Sequence, residues 1–209
     1  MLNVWSLCWG DKYDDYSVQR LRREVSVKLG FPHRFRCITD RDIEGVECVR
    51  PAVNWPGWWG KLQLFKPGFA EPQTVNIWLD LDVVITGRLD YLAEYSPPLA
   101  APLNWAQSGH GGVQSSVMVW TPTGATAEIF SEFDPKWAIW PPDNSNGKLW
   151  GDQEWITKRR DEGKLKVTPI PYIYSYKYHC RQGLPDDCRI CVFHGSPKPA
   201  EVQEHWFKW

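Results

Sequence analysis

The sequence predicts a single α/β domain with a mostly parallel central sheet flanked by helices. The chain begins strand, helix, strand, with apolar strands at Leu2–Trp9 and His33–Asp40 and helical spacing of apolar residues between them. Such a unit joins two parallel strands by a right-handed connection. The stretch VNIWLDLDVVI, Val75–Ile85, is nearly all apolar, which is typical of a strand covered on both faces. The length of 209 residues, 43% of them hydrophobic, suits one domain with a sizeable core.

The remaining elements follow from apolar spacing and from turn residues. We expect short helices within Trp55–Gly68 and Gly87–Tyr95, a strand at Leu99–Trp105, a strand that ends His110–Trp120, helices within Thr121–Phe133 and Leu149–Arg160, and a strand at Arg189–Phe193. The 14 tryptophans are far above ordinary usage. Most of them are expected to fill the core, although exposed ones can stack on sugars or bases.

Charge, cysteine content and the length of apolar runs restrict the class of protein. The net charge of −1 and the pI near 6.5 argue against nucleic-acid binding through bulk electrostatics. The sequence has no run of ~20 apolar residues and begins with no basic leader, so we expect no transmembrane segment. The six cysteines are scattered and are expected to be reduced. The sequence therefore predicts a soluble, cytoplasmic protein.

Two aspartates interrupt the most apolar stretch of the chain. If Val75–Ile85 is one strand, Asp80 and Asp82 share one of its faces, because successive side chains of a strand point to opposite sides. Two buried like charges are costly unless they are neutralised, and a divalent cation with oxygen ligands neutralises them most simply. The alternative is that both aspartates lie at a solvated strand end.

Further polar and aromatic residues follow the first two strands. In a parallel sheet, ligands bind beyond the carboxyl ends of the strands, which places Trp9, Tyr13 and Asp40 around one crevice. A ring can stack on a nucleobase, and a carboxylate can accept a hydrogen bond from a base N–H. The sequence therefore predicts recognition of a uridine-like base.

The paired aspartates and a lysine before them resemble glycosyltransferases of the GT-A fold. Asp80-Leu81-Asp82 resembles the DxD element of that fold, in which the aspartates hold Mn²⁺ or Mg²⁺ against the diphosphate of a nucleotide sugar. The pair Lys61-Leu62 is similar to a K-L pair in enzymes of the glycogenin type, where the lysine approaches the donor phosphates. The resemblance implies that Lys61 binds the donor. A surface lysine would need no such role.

Two more stretches resemble glycosyltransferase family eight. Gln114, Ser115 and Ser116 precede an apolar strand and resemble the N-S-G of a family segment whose polar residues line the sugar pocket. Ser116 stands where the family has glycine. Asp152 and Gln153 resemble a D-Q pair that opens a helix and contacts the transferred sugar or the acceptor hydroxyl. An aspartate in a first helical turn is also favoured simply by the helix dipole.

The C-terminal stretch RICVFHGSPKP, Arg189–Pro199, is the second strong signal. A strand delivers His194 at its end, and the turn that begins at Gly195 brings Lys198 back to the same point. Imidazole is a good ligand for Mn²⁺, and a lysine can carry phosphate charge. The pattern resembles the H-x-x-G-x-x-K-P-W signature of family eight, whose histidine is a metal ligand and whose lysine binds diphosphate. The match is compressed, and Ala200 stands in place of the tryptophan.

The resemblance implies one GT-A-like (Rossmann-like) domain over residues 1–209. Residues 1–86 are its predicted nucleotide-binding half, ending in DxD, and residues 87–209 its acceptor half with the metal and phosphate motif. It also implies metal-dependent transfer of a hexose from a nucleotide sugar, in particular a UDP-sugar, with retention of configuration. The acceptor stays open among saccharide, glycolipid, protein and modified DNA. If the enzyme inverts configuration, Asp152 or Glu154 is the candidate general base.

Two other functions remain open. A non-catalytic sugar- or nucleotide-binding module would use the tryptophans as stacking platforms. A nucleotidyltransferase also uses paired carboxylates and Mg²⁺, but it typically has a Gly-rich basic loop after its first strand. Here Leu7–Asp15 contains only Gly10 and Lys12.

Two other clusters have a separate interpretation. Four soft ligands in one short stretch could hold a structural zinc ion tetrahedrally. Two of them are adjacent, which is unfavourable for two ligands of one ion, and only one C-x-x-C is present. These ligands are His179, Cys180, Cys188 and Cys191.

The densest basic run is expected to be a solvated face where an anionic acceptor would dock. It comprises Lys158, Arg159, Arg160, Lys164 and Lys166.

Overall fold

The fold is α/β, with a seven-stranded and a three-stranded sheet among the residues that a computed structural model describes, 1–95, 98–105, 112–138 and 149–209. The strands are β1 (Leu2–Cys8), β2 (His33–Thr39), β3 (Glu47–Val49), β4 (Asn76–Leu79), β5 (Val83–Ile85), β6 (Leu99–Ala101), β7 (Val117–Trp120), β8 (Val167–Pro169), β9 (Ile173–Ser175) and β10 (Ile190–Val192). The α-helices are α1 (Asp15–Lys28), α2 (Gly124–Ser131) and α3 (Asp152–Asp161). Residues 110 and 111, at the start of one predicted segment, lie outside the described residues.

The large sheet is mostly parallel, as predicted. Its order is β3-β2-β1-β4-β7-β6-β8. The pairs β3/β2, β2/β1, β1/β4 and β6/β8 are parallel, whereas β7 is antiparallel to both of its neighbours. The small sheet has the order β5-β10-β9. Each sheet therefore combines strands from before and after residue 86.

The first helix forms where its apolar spacing predicts it. The side chain of Asp14 accepts a hydrogen bond from the Ser17 N–H and caps the helix. Val18, Leu21 and Val25 lie on the face that is buried against the sheet. This packing positions the loop between β1 and α1 at the carboxyl edge of the sheet.

The stretch Val75–Ile85 is not one strand, contrary to the expectation. β4 ends at Leu79, and the backbone N–H of Asp80 donates to the carbonyl of Ser116, the residue before β7, at 2.9 Å. The chain then turns, with Val83 N–H 3.4 Å from Asp80 O, and continues as β5 in the small sheet. Asp80 and Asp82 therefore do not share a strand face, because the chain changes sheets between them.

Two apolar layers cover the large sheet and contain most of the tryptophans that the sequence assigns to the core. Trp5, Trp59, Trp78 and Trp120 are fully buried, on the face covered by α2, α3 and the 3-10 helix Gly57–Phe65. The shorter expected elements also form, although most are a few residues shorter than predicted. No helix in the described ranges is long and apolar enough to span a membrane.

The basic run is solvent-exposed at Lys158, Lys164 and Lys166, as expected, but Arg159 is not part of that face. Arg159 is fully buried and forms ion pairs with Glu128 and Glu132. Lys158 and Lys164 both pair with Glu162. Acidic partners therefore neutralise these three residues of the run. An arginine on the inner face of α3 can be buried only if it is paired.

Candidate functional site

Charged side chains from four separate segments meet where β4 leaves the large sheet. We call this group the aspartate site, and it consists of Lys61, Asp80, Asp82, Asp152 and Lys198. The site joins residues of the two strongest motifs of the sequence, the DxD element and the C-terminal stretch Arg189–Pro199. Each aspartate of the DxD element has its own lysine: Lys61 for Asp80 and Lys198 for Asp82.

Lys61 is a buried lysine at the centre of the site, not a surface residue. Its Nζ lies 3.1 Å from Asp80 Oδ1 and 3.2 Å from Asp152 Oδ2, and it donates to the carbonyl of Ser115 at 3.1 Å. Burial favours the neutral amine, but the two carboxylates outweigh this effect and raise the pKa of Lys61 above its usual value. Lys61 is therefore a permanent cation between two acids.

Asp152 begins α3, as predicted, and its side chain is buried. Burial raises its pKa above the ordinary value for a carboxyl, although the charge of Lys61 acts in the opposite direction. Its Oδ2 lies at ion-pair distance from Lys61 but accepts no aligned hydrogen bond from the described residues. This oxygen is buried, so it faces Lys61 and not the solvent.

The predicted sugar-pocket residues form the floor beside Lys61. Ser115 contacts the lysine through both its carbonyl and its hydroxyl, at 3.1 and 3.2 Å. The side chain of Gln114 folds back on Ser116, with Nε2 donating to Oγ at 3.0 Å and Oε1 accepting from the backbone N–H at 2.6 Å. Gln114 therefore shapes the turn before β7, and both of its polar ends are already engaged.

Asp82 lies between the first loop and the C-terminal motif. Its Oδ2 accepts hydrogen bonds from the Tyr13 hydroxyl at 3.0 Å and from Lys198 Nζ at 2.5 Å. Burial and the neighbouring carboxylates raise the pKa of Tyr13, so its hydroxyl keeps its proton and remains a donor. Tyr13 therefore holds Asp82, where the sequence had suggested a base-stacking ring.

His194 follows β10 as expected, but it does not contact either aspartate. Its Nε2 is 2.7 Å from Ser175 Oγ, and its ring packs nearly parallel to those of Trp105 and Tyr178. Burial and the charge of Lys177 lower its pKa, which favours the neutral imidazole that binds metals. Gly195 then turns the chain with a φ of +70°, a conformation that side chains disfavour.

The residue types fit a divalent cation, although the predicted ligands are not gathered into a coordination sphere. No three His, Cys, Asp or Glu side chains in the described ranges are grouped closely enough to hold one ion. Asp82 Oδ1 has no hydrogen-bond partner among those same residues, and Asp80 Oδ2 has only Lys61, at 3.5 Å. Each aspartate thus presents one oxygen of the kind that Mg²⁺ and Mn²⁺ prefer.

Two lysines near the site were not predicted as site residues. Lys12 is solvent-exposed but lies over the Tyr13 ring, 5.1 Å from its centroid. Partial desolvation by the surrounding protein, together with the charge of Lys198, lowers its pKa. Lys177 Nζ lies 2.9 Å from the point where a Cβ on Gly195 would be. Neither lysine forms an ion pair with the residues that the structure describes. Lys12 lies in a polar loop and Lys177 in the short helical segment Tyr176–Cys180, and neither sequence context carries a signal beyond the charge itself.

Trp9 and Asp40 lie at the carboxyl ends of β1 and β2, and both are exposed. The residue that organises this edge is Arg41, which donates to the carbonyls of Tyr13 and Gly10 and pairs with Asp15. Arg41 therefore holds the loop that carries Lys12 and Tyr13. A strand-end arginine gives no such indication in the sequence.

A cavity of about 420 Å³ lies along α3, and one of its lining residues directly follows Asp152 in the sequence. Its lining includes Gln153 and the carboxylates of Glu154, Asp161 and Glu162, with Lys158 as the basic residue. Glu154 Oε2 also accepts the backbone N–H of Trp150 at 2.5 Å, which ties it to the start of the helix. The wall of this cavity carries more acidic than basic groups, and no residue of the aspartate site lines it.

The candidate zinc ligands do not form a site in the described part of the chain. Cys180, Cys188 and Cys191 are buried in a small apolar cluster, whereas His179 Nδ1 accepts the N–H of Ser175. A hydrogen bond with Cys180, together with burial, raises the pKa of Cys188. The raised pKa of Cys188 opposes the deprotonation that zinc binding requires.

The fold and the site together define an α/β protein with a buried lysine between carboxylates at the edge of its sheet. The chain matches no protein-family model and no curated protein sequence.

Proposed function

We propose that this protein is a metal-dependent glycosyltransferase of the GT-A type that moves a hexose from a nucleotide sugar, in particular a UDP-sugar, to an acceptor. The observation that carries the proposal is the contact between Lys198 Nζ and Asp82 Oδ2, at 2.5 Å. It joins the DxD element to the C-terminal motif although 116 positions separate the two residues. Two motifs that resemble one enzyme family thus meet at a single point.

Asp80 and Asp82 would hold Mn²⁺ or Mg²⁺ through their free oxygens, with the neutral imidazole of His194 as the third protein ligand. When bound, the cation would supply Lewis-acid stabilisation of the charge on the departing diphosphate. The chain's own contribution is to pair each aspartate with a lysine, Lys61 with Asp80 and Lys198 with Asp82.

The lysines divide the remaining electrostatic work. Lys61 is enclosed between Asp80 and Asp152, so we assign it to positioning these acids and not to the donor phosphates. Lys198 is about three-quarters buried and Lys12 faces the same group of charges, so both can face a diphosphate. Positive charge placed where negative charge develops lowers the barrier to departure of the nucleotide.

Asp152 is assigned to the sugar side of the site by its resemblance to the D-Q pair of family eight. Its position is set by Lys61 and the first turn of α3, and its carboxylate is buried against that lysine. If the enzyme inverts configuration, Asp152 and Glu154 are both candidates for the general base, and Glu154 is already engaged with the backbone N–H of Trp150.

The cavity along α3 is the candidate acceptor side, beginning at Gln153. Glu154, Asp161 and Glu162 give its wall a negative character that would repel a polyanion. A neutral saccharide suits a polar wall of this kind better than modified DNA does. The neutralised basic run supports the same choice.

The test is to incubate the protein with UDP-sugars and Mn²⁺ and to follow slow donor hydrolysis, with Asp82→Asn as the inactive comparison. A bound donor at 100 times its Kd stabilises a protein by about 2.7 kcal/mol. At about 2–4 °C per kcal/mol, UDP with Mn²⁺ should raise Tm by roughly 5–11 °C, and UDP with EDTA by much less. Sugar binding without metal and without hydrolysis would indicate a binding module. Release of pyrophosphate from a nucleoside triphosphate would indicate a nucleotidyltransferase.

A further inference from the structure

A buried arginine of α1 lies directly under the turn that carries Asp82. Arg20 is 4% exposed, and its Nη2 donates to the carbonyl of Leu81 at 3.0 Å and to the carbonyl of Val83 at 3.1 Å. These carbonyls belong to the two neighbours of Asp82. One guanidinium nitrogen therefore holds the backbone on both sides of a proposed metal ligand.

Three successive carbonyls of this turn are fixed from outside it. Between the two that Arg20 binds, the carbonyl of Asp82 accepts the backbone N–H of Phe193 at 3.1 Å. Phe193 directly precedes His194. The position of Asp82 relative to the C-terminal motif is therefore set by Arg20 on one side and by β10 on the other.

The guanidinium is itself held in place by two further contacts. Its Nη1 pairs with Glu24 Oε1 at 2.7 Å, one turn along the same helix, and the other oxygen of Glu24 lies 3.4 Å from the N–H of Ile85. The ring of Trp209 covers its face, with 4.0 Å between the Arg20 Cζ and the ring centroid. A ring in this position attracts the cation and excludes water from it.

We propose that Arg20, stacked under Trp209, is the positioning residue for Asp82 in the metal and diphosphate site; this inference rests on the proposed function. Neither residue contacts the carboxylate of Asp82. They act through the backbone, by fixing where the carboxylate points. A planar guanidinium suits this task because it carries several donors in a rigid arrangement and can stack on a ring at the same time, which a lysine cannot do.

The test uses two variants with matched controls on the same helix. Arg20→Lys keeps the charge but loses the planar donor group, and Trp209→Ala removes only the covering ring. Arg23→Lys and Tyr16→Ala are the controls, because Arg23 lies over the Tyr16 ring at 5.4 Å on the exposed side of α1. Mn²⁺ affinity is measured in the presence of UDP, and amide hydrogen exchange is measured at Phe193.

We expect Arg20→Lys to weaken Mn²⁺ binding by about 10- to 100-fold, the usual effect of removing a group that orients a metal ligand. Trp209→Ala should show a smaller loss in the same direction, and the Phe193 amide should exchange faster in both variants than in either control. A lower Tm with Mn²⁺ affinity and Phe193 exchange unchanged would mean a purely structural role and would overturn the inference. If the unaltered protein binds no Mn²⁺ with UDP, the proposed function fails. Phe193 exchange that is the same in Arg20→Lys as in the controls would then still refute the positioning role of Arg20.

Discussion

Lys61 and Asp152 form an ion pair that is closed to solvent, with 3.2 Å between Nζ and Oδ2 and side chains that are 4% and 5% exposed. The same lysine also neutralises Asp80. The ammonium group of Lys61 therefore pairs with two carboxylates, one in the turn after β4 and one at the start of α3. The pair links the donor side of the proposed active site to its acceptor side.

The first prediction concerns the stability that depends on Lys61. Lys61→Met leaves the buried carboxylate of Asp152 and the partly exposed carboxylate of Asp80 without their cation. Loss of one partner of a buried pair typically costs about 3–5 kcal/mol. Urea unfolding should show a loss of this size in the free energy of unfolding. Lys166→Met, on an exposed lysine, is the control and should change it by less than about 0.5 kcal/mol. Equal, small effects in both variants would contradict the central role of Lys61.

The second prediction separates a metal-binding His194 from a histidine that only packs on Trp105 and Tyr178. If His194 is a ligand, His194→Ala should weaken Mn²⁺ binding and lower turnover much as Asp82→Asn does. The two losses should be non-additive, because both act through the same ion. The exposed His205 provides the control variant, His205→Ala. Donor turnover and Mn²⁺ affinity are measured for the single and double variants, and full activity in His194→Ala would remove it from the metal site.

The third prediction concerns Lys12, which the structure brings to the aspartate site. Its hydrogen bond to a donor phosphate would contribute about 1.5–3 kcal/mol, so Lys12→Met should raise the donor KM by about 10- to 100-fold. Tm should stay nearly unchanged, because the side chain is in an exposed loop. Steady-state kinetics with Lys166→Met as the comparison provide the measurement. An unchanged donor KM would mean that Lys198, and not Lys12, binds the donor phosphates.

The fourth prediction is a pH dependence at the far edge of the sheet. Glu71 accepts two hydrogen bonds from Arg36, at 2.9 and 3.2 Å, and one from Asn3 at 2.6 Å. Burial opposes ionisation of Glu71, but these donors outweigh it and lower its pKa. Its contribution to stability is therefore present above the unfolded pKa of about 4.3 and is lost as the pH falls through the lower folded pKa.

Glu71→Gln should thus destabilise the protein at pH 7 and much less at pH 3. Because the carboxyl is 46% exposed, the effect at pH 7 should not exceed about 1 kcal/mol. Urea unfolding of both proteins at the two pH values measures it. Glu94→Gln, for which the described residues supply no ion pair, is the control. A larger difference at pH 3 than at pH 7 would reverse the sign of the argument.

Local patterns were sufficient to predict much of the fold. The apolar spacing of Val18, Leu21 and Val25 predicts α1, and the alternation of strand and helix predicts the parallel start of the sheet. Asp152 was predicted in the first turn of α3 and lies there. These predictions succeed because periodicity and capping depend on neighbours only a few positions away.

The sequence by itself determined the α/β class, the order of most elements, and the presence of acidic and basic groups at strand ends. Only the tertiary structure decided that the chain changes sheets after Asp80, that Lys61 is buried between two acids, and that Arg20 lies under the Asp82 turn. The reason is that a local pattern shows which face a residue occupies but not which charge it will meet. Lys198 and Asp82 are 116 positions apart, and only the pairing of β5 with β10 in the small sheet brings them within 2.5 Å.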